Sequence, residues 1–157
     1  MTPASIPDIK TALKNYDAKE LAELVLRLAR YKKDNKELLS YLIFDADNLP
    51  AYLLGVKEEM DEGFAEMNKS SVYLAKKTIR KVLRIANKHI RYVGRKEAEI
   101  ELLLHFCVSV KGSKLPLQKS TVLLNLYNGQ VKKIRAAIDS LHEDLQYDYL
   151  RELERIE

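Results

Sequence analysis

Between Ser71 and Gly94 the sequence contains no glycine, no proline and no acidic side chain. Its apolar residues Val72, Ala75, Ile79, Val82, Leu83, Ala86, Ile90 and Val93 return every three or four positions. The cations Lys77, Lys81, Arg84, Lys88 and Arg91, with Arg95 just past the glycine, return at the same interval on the other side. Only a helical period separates two such sets onto opposite faces. The spacing predicts a helix from about Val72 to Tyr92, capped by Ser70 or Ser71 and stopped near Gly94. A helix with one apolar stripe is stable in water mainly through what that stripe packs against, so the rest of the chain has to supply a core.

The remaining sequence reads as more helix. Five glycines and four prolines in 157 residues leave few breaks, and the abundant Leu, Lys, Glu and Ala lose little rotamer freedom in a helix. Pro7 suits the first turn of a short helix from Asp8 to Leu13. Asp17 and Glu20 have capping-box spacing. Leu21, Leu24, Val25, Leu28 and Ala29 follow as a stripe expected to face a core. Lys32-Lys33-Asp34-Asn35 reads as a tight turn, and Leu38, Leu39, Leu42 and Ile43 begin a return helix. Asn48 caps a helix over about Pro50–Glu66, and another runs from about Arg95 to Val110.

A short segment, Val122 to Tyr127, ends at Asn128-Gly129. Its β-branched residues permit a strand, but no partner strand is evident, and helix is the better reading. From Gln130 a long helix carries Val131, Ile134, Ile138, Leu141 and Leu145, with a bend expected near His142. That pattern reaches only two heptads, short of the number that argues a coiled coil, so core packing outweighs a dimer seam. Short connections favour antiparallel neighbours. The fold class is therefore all-α: antiparallel helical hairpins packed as an irregular armadillo- or HEAT-like array or as a compact bundle. At this length one domain, 1–157, is expected.

The chemistry of enzymes and metal sites is not nominated. His89, His105 and His142 lack metal-ligand spacing, and His105 and Cys107, two apart on a helix, point to different faces. Asp45-Ala46-Asp47-Asn48 begins like a calcium loop, but Pro50 and Val56 stand where glycine and a bidentate glutamate belong. Gly112-Ser113-Lys114 and Lys119-Ser120 lack the order of a phosphate loop. The free N–H groups at Lys119-Ser120-Thr121 have the anion affinity of any helix start. No catalytic residue, cofactor or metal is expected. Cys107 lies in the apolar run Leu102–Val108 and reads as a small buried hydrophobe. No secretory signal is visible and no apolar run spans a bilayer, so the expected compartment is the cytoplasm.

Charge is the one feature that points outward. The net charge is +4, yet residues 67–96 carry ten basic and no acidic side chains. The row Lys77, Lys81, Arg84, Lys88, Arg91 and Arg95 is ~30 Å long at helical rise, long enough to follow a phosphate backbone and bind in a salt-sensitive way. Tyr73 and Tyr92 at its ends offer faces for stacking on bases. Against this, Glu58, Glu59, Asp61, Glu62 and Glu66 precede it beside a single Lys57. In an antiparallel hairpin those acids lie beside the cations and cancel much of their field.

Ser70 to Ile90, Leu102-Leu103-Leu104-His105-Phe106-Cys107 and Leu141-His142-Glu143-Asp144-Leu145 together resemble a small family of uncharacterised bacterial all-helical proteins. The resemblance covers the second half of the chain, carries no catalytic residues, and implies a bacterial cytoplasmic domain. Two functions follow as expectations. The first is a non-catalytic interaction or scaffold module, taking a peptide, a protein partner or a second copy of itself. The second is a non-specific nucleic-acid-binding protein using the cationic row, a face that also suits an acidic protein partner or a membrane surface.

Overall fold

Side-chain caps begin most of the helices. In a computed structural model describing residues 1–157, eight α-helices and no strands are formed. They group into two units, Met1–Asp45 and Ala46–Glu157, a partition that the sequence reading did not draw.

The first unit holds α1 (Ile6–Leu13), α2 (Ala18–Tyr31), α3 (Lys33–Ser40) and one π turn, Tyr41–Asp45. Ser5 caps α1, accepting from the Asp8 amide at 3.2 Å. Asp17 and Glu20 form the expected capping box on α2, satisfying two backbone donors reciprocally. The tight turn expected at Lys32–Asn35 shrinks to Lys32 alone, which adopts an extended conformation between α2 and α3. Asn35 makes this sharp reversal workable: its side-chain amide donates to the Leu28 carbonyl at 2.7 Å, across the break.

The second unit holds α4 (Leu49–Ala65), α5 (Val72–Val93), α6 (Lys96–Gly112), a 3-10 turn at Leu117–Lys119, α7 (Thr121–Asp139) and α8 (Glu143–Glu154). Asn48 caps α4 and Ser71 caps α5 through side-chain oxygens. Gly94 ends α5 with φ 68°, the left-handed conformation that glycine adopts without a Cβ clash. Neighbouring helices pack antiparallel as a compact bundle.

At the centre of this unit lies α6, which packs on α4, α5, α7 and α8. Ala98, Ile100, Leu102, Leu103, Leu104, Phe106, Cys107 and Val110 are all buried, so apolar residues serve almost every side of it. One helix touching four others is bundle packing, whereas stacked repeats touch mainly their neighbours. The expected apolar face of α5 packs inward, with Ala75, Ile79, Val82 and Ala86 buried. Gly63 is buried where α4 meets α5; a Cβ there would stand 2.9 Å from the Val82 Cγ2.

Two expected boundaries differ. Asn128-Gly129 does not end a helix: α7 runs straight through it. Leu123, Tyr127, Gln130, Ile134, Ala137 and Ile138 form one continuous buried face, which outweighs the ~1 kcal/mol cost of a mid-helix glycine. The expected bend near His142 is a full break, with His142 becoming the cap of α8. Leu145, expected on the packed stripe, is half exposed after that change of direction. The end of the chain returns to the core: Leu153 and Ile156 are buried, and the Tyr127 hydroxyl donates to the Ile156 carbonyl.

Candidate functional site

Two surfaces have the size and chemistry to receive something. The first is the apolar side of the N-terminal helices. The stripe Leu21, Leu24, Val25, Leu28 and Ala29 was expected to face a core, and it does not: α1, α2 and α3 contain no buried residue at all. Leu28 is 61% exposed, Tyr31 77% and Phe44 75%. Three short helices have too few elements to cover one another, because α3 takes only one flank of α2. A groove of about 770 Å3 runs along the other flank, with Ile9 and Leu13 of α1 on one wall and Leu21, Leu24 and Leu28 of α2 on the other. Arg27 and Arg30 stand at its rim. Neither guanidinium has an ion-pair partner within the chain. A shallower apolar hollow of about 240 Å3 lies between α2 and α3.

The second surface is the cationic row. Lys77, Lys81, Arg84, Lys88 and Arg91 are on α5, and Arg95 is the residue just before α6, at its N-cap position. Lys77, Arg80, Lys81 and Arg84 surround a cleft of about 490 Å3 beside Gly63. The acidic helix shields the row only in part. Glu66 lies 3.6 Å from Lys81, and Arg95 has Glu97 of its own helix at 3.7 Å. Asp61 turns to α6 instead, where His105 Nε2 is 2.7 Å away. Glu58 and Glu62 hold no ion pair, and neither do Arg84 and Arg91. Tyr73 is covered by Lys77, whose ammonium stands 5.0 Å above the ring, a cation–π contact that occupies the ring face. Tyr92 stands edge-on to His89.

Polar groups elsewhere mostly tie helices together. His89 bridges α4 and α5: Nδ1 is 2.6 Å from the Tyr52 hydroxyl and Nε2 is 3.1 Å from Glu59. A neutral ring protonated at Nε2 satisfies both, accepting from the tyrosine and donating to the carboxylate. Lys57 and Glu101 pair at 3.2 Å across α4 and α6, and they line a cleft of about 340 Å3 with His105, Tyr149 and Glu152. Burial, and then the nearby Glu101 carboxylate, raises the Tyr149 hydroxyl pKa above its ordinary value. Cys107 is fully buried, and desolvation lifts its thiol from 9.0 to about 12, which suppresses the reactive thiolate.

No helix is long and apolar enough to cross a membrane. No protein-family model, curated protein or solved structure matches the chain.

Sequence reasoning nominated the cationic row and missed the groove. The signal for the groove was present, since α2 is the most evenly amphipathic helix of the first forty-five residues. Amphipathicity marks a face to be covered without saying whether the same chain covers it.

Proposed function

We propose that this protein is a non-catalytic interaction module whose docking surface is the apolar face of α1 and α2. The observation that carries the reading is the complete absence of buried residues in α1, α2 and α3 beside a stripe of large exposed hydrophobics. Contiguous apolar surface rimmed by charge marks interaction sites on soluble proteins. Here the rim is Arg27 and Arg30, and the lining is leucine and isoleucine. The polar clusters of the second unit support the same reading, because Lys57, His89 and His105 each already have a partner.

The test is an environment-sensitive anilinonaphthalene sulfonate dye added to the dilute chain. Emission should rise with the wild type and fall to background with Leu24→Asp, while far-UV circular dichroism stays unchanged. Equal emission from both proteins overturns the proposal.

A second reading is favoured by one observation: four cations around the cleft beside Gly63 face a single carboxylate, Glu66. In that reading Lys77, Lys81, Arg84, Lys88, Arg91 and Arg95 bind nucleic-acid phosphates without sequence preference. Binding to labelled DNA or RNA should then weaken steeply between ~50 and 200 mM salt. The triple variant Lys81→Glu, Arg84→Glu, Arg91→Glu should abolish it. Salt-independent binding, or binding that survives the triple variant, overturns this reading.

A further inference from the structure

We infer that the occupant of the α2 face is a second copy of this chain, paired antiparallel along α2 about a twofold axis beside Leu24. This rests on the interaction reading above and names its partner. The reason lies in how charge is laid along α2. Its first half is net acidic, with Asp17, Glu20 and Glu23 against the single cation Lys19, and its second half is basic, with Arg27 and Arg30 followed by Lys32 and Lys33. Glu20 and Arg27 are seven residues apart, so they occupy the same flank of the stripe, ~10 Å apart along the helix axis and too far apart to pair within one copy.

Antiparallel alignment solves this twice. Glu20 of each copy comes beside Arg27 of the other, Leu24 meets its own symmetry mate, and Leu21 lies near Leu28. One patch serves both partners, as a twofold contact requires. Parallel alignment instead sets acidic half against acidic half and basic against basic, which charge repulsion disfavours. Glu20 uses one carboxylate oxygen in the capping box, where Oε1 accepts from the Asp17 amide. The other oxygen remains for the guanidinium, since a carboxylate accepts several hydrogen bonds. Apolar burial supplies the affinity, and the rim charges fix direction and register.

The experiment is sedimentation velocity of the full chain over a range of concentrations, with the dye measurement run in parallel. Wild type should pass from monomer to dimer, and dye emission per chain should fall as the dimer forms. Leu24→Asp should stay monomeric with its circular dichroism intact. Glu20→Lys alone and Arg27→Glu alone should each weaken dimerisation by at least about tenfold, because each makes like charges face one another. An equimolar mixture of those two single variants should recover dimer, since positions 20 and 27 are then both basic in one copy and both acidic in its partner.

A dimer that persists in Leu24→Asp, or a mixture that fails to recover, overturns the antiparallel seam. A wild type that stays monomeric and binds dye through Leu24 overturns self-pairing and leaves the interaction reading intact. A monomer with no dye binding overturns both.

Discussion

Both α2 and α6 are rich in leucine, yet α2 has no buried side chain and α6 has eight. The difference is not composition but company. Four helices surround α6, so its residues are packed on several sides and most of its apolar area leaves water. In its own unit α2 has α3 on one flank and an open groove on the other. A leucine-rich helix therefore contributes to stability in one unit and offers surface in the other. Burial of apolar area stabilises by ~25 cal/mol per Å2 only where that area is removed from water.

The largest test of this contrast compares truncations in the two helices. Phe106 is fully buried against Phe64, with ring centroids 5.9 Å apart. Phe106→Ala should cost ~3–5 kcal/mol in urea unfolding. Leu24→Ala in the monomer should cost less, ~1–2 kcal/mol, because Leu24 is already 37% exposed. Equal losses would mean that the α2 face is covered in solution.

Next in size is Gly63→Ala. The new methyl group forces α4 away from Val82, an overpacking cost of ~1–3 kcal/mol, partly offset by the better helix propensity of alanine. Thermal unfolding followed by circular dichroism measures it, and a gain in stability would show that the helices part freely.

Alkaline pH gives a third, smaller effect confined to the bundle. Burial raises the Cys107 thiol from 9.0 to about 12, so the unfolded chain ionises first. Its stabilising contribution is complete below pH 9 and is lost as pH rises from 9 towards 12. Between pH 9 and pH 10 the loss is on the order of 1 kcal/mol, and Cys107→Ala should flatten that slope. Iodoacetamide at pH 8 should leave the native thiol unmodified and react after urea unfolding.

Smallest is Asp17→Ala, which removes the α2 capping box and costs ~1 kcal/mol. Hydrogen exchange should show faster amide exchange in α2 and none of this effect in α6. If α6 responds equally, the two units unfold as one.

Much of this architecture was legible in the sequence because its signals are local. Ser71 and Gly94 bracket α5, Asn48 starts α4, and Asp17 with Glu20 starts α2, each through a contact made within a few residues. The misread boundaries depended on distant partners. Asn128-Gly129 stays helical because Tyr127 and Gln130 are held in a face that packs on α6. The break at Ser140–His142 brings Leu153 and Ile156 back to the core. The cationic row was visible as a pattern, but its shielding was not, since only the folded chain sends Glu66 to Lys81 and Asp61 to His105.

The uncovered stripe of α2 also separates two kinds of selection that usually act on the same residues. In α6 a leucine is intolerant of change because the chain fails to fold without it, whatever the protein does. In α2 a polar substitute at Leu24 should cost the monomer far less, since that position already faces water in part. A saturation mutagenesis screen scored once for cellular abundance and once for growth would therefore diverge along α2, and the positions where they diverge would map its task.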